Sequence, residues 1–143
     1  MNADEKDDLD MVNLLKEMDD MARSLVEKVG GYPTFGGLID NHGKVQLIFD
    51  QTAITGGGDA QTINAITDMV RREAKPANIR AAAVANMGFM NDPGTGRRTT
   101  VMVISLHHRT GRCIDYVTPF SKAASGAIRF GEPTAGLGKT MLF

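Results

Sequence analysis

Between Thr99 and His107 the chain places Val101, Met102, Val103, Ile104 and Leu106 in one run without Gly or Pro, a composition that favours a β-strand. Side chains alternate across a strand, so Val101 and Val103 point one way while Met102, Ile104 and Leu106 point the other. Both faces are therefore apolar. A strand of that kind has to be covered on both sides, by helices or by a partner chain. Apolar runs at 79–90 and 113–118 flank it across glycine-containing turns, and the three together predict the centre of a sheet.

The material around this centre reads as follows. From 3 to 29 the apolar residues Met11, Leu14, Leu15, Met18, Met21, Ala22, Leu25 and Val29 recur every three or four positions, the period of a helix. Acidic residues crowd its first turns and Gly30, Gly31 and Pro33 end it. Residues 34–40 and 45–50 flank a polar turn with Gly43 and predict a hairpin. A second helix is expected through Ala74, capped by Asp59 and presenting Ile63, Ile66, Met69 and Val70. Residues 79–90 could serve a helix by alanine propensity, but Pro76 before them and Gly88 and Phe89 within them favour a strand. A short strand is expected at 127–130.

This order predicts an α+β domain over 1–130: a long N-terminal helix, a hairpin, a second helix, then three to four mostly antiparallel strands. The sheet is expected to be mixed or antiparallel, with its helices on one face, and residues 131–143 to form a flexible C-terminal tail. The element order is similar to that of small bacterial domains of the roadblock and profilin-like kind, with no shared motif.

Composition bounds the function. A net charge of −1 argues against bulk attraction to nucleic acid or an anionic membrane, and no apolar run approaches the ~20 residues of a membrane span. One cysteine excludes an internal disulfide, and the acidic opening lacks the pattern of a secretory signal, so the cytoplasm is the expected compartment.

Chemistry-bearing patterns are sparse. Gly136, Gly138, Lys139 and Thr140 look like the end of a phosphate-binding loop, but Pro133 occupies the place of its leading glycine and no helix can follow so near the end. Gly56, Gly57 and Gly58, just before the second helix, are the better anion-binding candidate, although Asp59 competes for the same N–H groups. With Thr110 and Gly111 as the centre of a tight turn, His108 would oppose Cys113 with Asp115 next on that face, a polar cluster at a hairpin tip. Arg97 with Arg98 and Arg109 with Arg112 lie about 35 Å apart along the strand and read as solvated charge.

No acid, base and nucleophile converge, and no metal site or cofactor is expected. The chain is read as a small non-enzymatic cytosolic protein-binding or scaffold domain acting as a homodimer, with Met11, Leu14, Met18, Met21 and Leu25 of the first helix at the interface. The alternative is a small anion- or nucleotide-binding domain, or a weak enzyme, built on the loop Gly56 to Gly58.

Overall fold

A computed structural model of the chain describes residues 2–50 and 60–143. Helix α1 (Ala3–Val29) starts on Asn2, whose side chain accepts the N–H of Glu5, and stops at Gly30, whose φ of 85° turns its N–H back to Val26 O. Strands β1 (Phe35–Asp40) and β2 (Val45–Ile48) form the expected hairpin, and α2 (Ala60–Glu73) follows. Then come β3 (Ile79–Asn91), β4 (Arg98–His108), β5 (Cys113–Lys122), β6 (Ile128–Phe130) and β7 (Thr134–Leu137). The class is α+β, and the seven strands make one antiparallel sheet in the order β2-β1-β3-β4-β5-β6, with β7 also paired to β5.

The two helices take opposite faces of this sheet, not one face. Met11, Leu14, Met18, Ala22 and Val26 of α1 pack with Phe35, Ile39, Ala81, Ala83, Ala85, Ile104 and Leu106, whereas Ile66 and Val70 of α2 pack with Leu38, Ile48, Ala82 and Val84. The reason is the period-2 alternation of strands whose residues are apolar at every position. Small residues let both helices approach. A Cβ at Gly37 would lie 2.5 Å from the Met18 sulfur on one side, and one at Gly36 would lie 2.2 Å from Val70 Cγ2 on the other. Ala81 to Ala85 continue that thin centre in the neighbouring strand.

Residues 131–143 differ from the loose tail the sequence suggests. Thr134 to Leu137 pair with β5, and Leu142 enters the α2-side core at 1% exposure. Its N–H donates to His107 Nδ1 at 2.8 Å, the Met141 carbonyl accepts from Arg71, and Arg109 lies over the Phe143 ring. The same Arg109 donates to the carbonyls of Ala74, Pro76 and Ile79, so one guanidinium caps the end of α2 and holds the C-terminal residues. A segment without periodicity can still dock through one leucine and main-chain bonds, which a pattern search does not register.

This docking carries a pH dependence. Burial first, and the neighbouring imidazole of His108 second, lower the pKa of His107. With the folded value below the unfolded one of about 6.5, full stability holds above that pH. As pH falls through it, the unfolded chain takes up a proton that the folded chain resists, and stability drops. Protonated Nδ1 also ceases to accept from Leu142. Thermal denaturation between pH 8 and pH 5 should therefore show an acid-side loss that His107→Gln, whose amide oxygen can still accept, reduces. Identical pH profiles for the two proteins would remove His107 from the account.

Candidate functional site

The densest group of ionisable side chains lies where the start of α1 crosses the β3–β4 end of the sheet. Asp7 and Asp10 share the buried stripe of α1 with Met11 and Leu14. They face His108, the last residue of β4, and Arg80 near the start of β3. A bulge brings Arg80 there. Ile39 faces Ala81 while Asp40 faces Ile79, and the extra residue reverses the alternation, sending Ile79 to the α2 layer and Arg80 to the α1 layer.

Arg80 Nη2 lies 3.0 Å from Asp7 and its Nε 3.4 Å from Asp10, while His108 Nε2 lies 3.0 Å from Asp10. The backbone N–H of Thr110 donates to His108 Nδ1, so that nitrogen is an acceptor and the ring proton sits on Nε2, directed at Asp10. Nearby, Arg112 pairs with Asp8. One ligand atom each from Asp7, Asp10 and His108 falls within 4.8 Å of the others, a spacing a metal ion could use. The guanidinium of Arg80 already bridges both carboxylates, and a cation would have to displace it. These residues thus fit an internal ion-pair network better than a metal centre. His108 is fully buried, which denies the pair a substrate and leaves it the task of locking α1 to the sheet.

The expected cluster of His108, Cys113 and Asp115 does not form. The turn closes from His108 O to Gly111 N–H with Gly111 at φ 111°, His108 bonds Arg112, and His107 opposes Cys113. A slip of one residue sends His108 to the α1 face and leaves Cys113 and Asp115 on the other with His107. Burial, then the charge of Asp115, raises the Cys113 thiol pKa, which lowers its value as a nucleophile.

Gly56, Gly57 and Gly58 lie outside the described residues. Of the helix residues assigned to a dimer contact, Met11, Leu14 and Met18 are buried in the chain's own core, because the sheet takes the face that a partner was expected to cover. Met21 and Leu25 are half-buried, and the outward apolar residues of α1 are Leu9, Val12 and Val29. The sequence reading missed Asp7, Asp10 and Arg80. An available signal was that carboxylates on the apolar stripe of a helix need a cation in the core.

Openings to solvent lie at the opposite end of the sheet. Arg80 O accepts from Arg109 and Arg97 O from Asp92, so even-numbered residues of β3 bond to β4. Odd-numbered ones bond to β1, but only to Ala85, where β1 runs out at Phe35. The main-chain groups of Met87, Phe89 and Asn91 therefore face outward with no adjacent strand among the described residues. Alongside this edge lies a cleft of about 730 Å³ lined by Leu25, Val29, Tyr32, Pro33, Met87 and Phe89. Tyr32 donates its hydroxyl to Asn86 O and its N–H to the Met87 sulfur, fixing the floor. Burial and then Asp19 push the Tyr32 phenol far above its usual range, so it remains a neutral donor. Val29 at 76% and Phe89 at 62% exposure form the rim, with the Arg98 guanidinium 4.1 Å above the Phe89 ring.

Compared with family models, curated proteins and solved structures, the chain matches no family model, no curated protein and no solved structure. Among the described residues, no helix is long and apolar enough to cross a membrane.

Proposed function

We propose that the protein is a non-enzymatic binding domain of the cytosol that takes an extended segment of a partner protein against β3. The observation that carries this reading is the open edge of Met87, Phe89 and Asn91 beside an apolar cleft. Unpaired strand N–H and C=O groups are a template for an added strand, whose main chain would supply affinity while alternate side chains enter the cleft. Natural edges are commonly blunted by charge, proline or a covering loop. This one presents Phe89 and Met90 to solvent instead. The occupant that fits is a short extended segment with apolar residues at every second position. The homodimer expected from α1 has less to rest on, because Met11, Leu14 and Met18, three of the five residues assigned to it, face inward.

Selection of random ten-residue peptides displayed on phage, with the whole chain as bait, tests the reading. Winners should alternate apolar and polar residues, and Phe89→Lys should weaken them by about tenfold or more while the melting temperature stays close to that of the native chain. Peptides that bind the variant as well as the native chain would place recognition elsewhere. Light scattering on the chain alone separates the other occupant: a dimer that Phe89→Lys dissociates would assign the edge to a second copy.

A further inference from the structure

We propose that the gap between the β3–β4 hairpin and the β5–β6 hairpin is a binding site for a phosphate monoester. The gap follows from the register. β4 and β5 pair from His107 and Cys113 up to Thr100 and Phe120, and there β5 leaves its partner to run with β6, whose Arg129 opposes Ser121. The β3–β4 hairpin continues alone to its turn, where Asp92 and Arg97 bond. The sheet splits, and the split is a cleft of about 570 Å³ with Arg97, Arg98, Arg129, Thr100, Ser121 and Phe130 among its walls.

The charges in this cleft are unbalanced. Arg97, Arg98 and Arg129 line it against a single acidic residue, Asp92, whose Oδ1 accepts the N–H of Gly94 at 2.8 Å within its own turn. Among the described residues, none of the three guanidiniums forms an ion pair. The main-chain N–H of Arg98 adds to them: odd residues of β4 bond to β3, so Arg98 points its N–H towards β5, one step past the last pair of that ladder. Separate hairpins thus gather the guanidiniums of Arg97 and Arg129, that of Arg98 where it leans over the Phe89 ring, a main-chain donor and the hydroxyls of Thr100 and Ser121 in a chain whose net charge is −1.

Guanidinium forks match the oxygens of a tetrahedral dianion two at a time, and a phosphate can engage more than one fork where a carboxylate engages one. The apolar surface of Pro119 and Phe130 gives the organic part of a monoester a place to rest. A nucleic-acid strand fits less well. It needs open aromatic faces for successive bases, and one face of Phe130 is covered by Arg23 at 4.6 Å. The site adjoins the apolar cleft across the β3–β4 hairpin, since Thr100 lines both and Arg98 reaches from one to the Phe89 rim of the other, but its Arg97 and Arg129 belong to this cleft alone.

Titration of the isotopically labelled chain with inorganic phosphate, phenyl phosphate and acetate, followed by NMR at about 150 mM salt, tests the proposal. Phosphate should shift the amides of Arg98, Thr100, Ser121 and Arg129 saturably, and phenyl phosphate should bind more tightly. Acetate should bind at least about tenfold more weakly. Arg129→Gln and, separately, Arg97→Gln should each weaken phenyl phosphate by about tenfold, while Lys75→Gln, remote from the cleft, leaves it unchanged. The spectrum of each variant reports its fold directly. Shifts that do not saturate, that follow acetate equally well, or that survive both arginine substitutions would overturn the site.

Discussion

Replacing Arg80 by alanine should cost the fold about 3–5 kcal/mol, since removing one partner of a buried ion pair leaves the other charge uncompensated. Two charges are exposed to that loss. Asp7 and Asp10 are both buried, and Arg80 is the cation that bridges them. Against the 5–15 kcal/mol typical of a domain, the effect is large enough to read in urea denaturation. The variant Arg80→Ala, Asp7→Asn should recover part of the loss, because an amide carries no charge to strand. Hydrogen exchange should locate the damage in the first half of α1, whose attachment to the sheet runs through this network. A loss below about 1 kcal/mol would show that water solvates the carboxylates and that packing alone holds the helix.

Truncating Leu142 to alanine is expected to cost about 2–4 kcal/mol, the range for a buried leucine whose cavity cannot fully collapse. Its surroundings are packed: Val70 of α2, Ala74 just after that helix and the strand residue Ala82 are all buried in the same cluster. The second effect is local. Without that anchor the bond from the Leu142 N–H to His107 and the stacking of Phe143 under Arg109 lose their support. The 131–143 segment should then be cleaved by a broad-specificity protease well before the rest, whereas in the native chain it should resist. Equal cleavage of that segment in the two proteins, together with a stability change under about 1 kcal/mol, would restore the picture of a loose tail.

The elements were legible to the extent that their signal was local. The helical period from Met11 to Val26, the polar turn at Gly43 and the breaker Pro76 each act within a few residues, and the corresponding elements form as read. Residues 79–90 were ambiguous by propensity and became a strand, because alanine in a strand flanked by helices on both sides is selected for thinness and not for its own preference. The polar cluster failed through one residue of turn register. A period-2 element turns such a slip into a change of face.

What the chain determined by itself is therefore the list of elements up to β6, the α+β class and the need to cover both faces of the central strand, since these depend on near neighbours and on the alternation of apolar residues. Which object covers each face was decided only in three dimensions. A second helix, a sheet partner and a C-terminal leucine compete for the same apolar surface, and the choice depends on reach and close packing between residues as far apart as Val70 and Leu142 or Asp10 and His108. The open edge of β3 and the split at Arg98 belong to the same class. Each exists because a neighbouring strand ends or turns away before its partner does, a fact of relative length and path between strands that no single stretch of sequence contains.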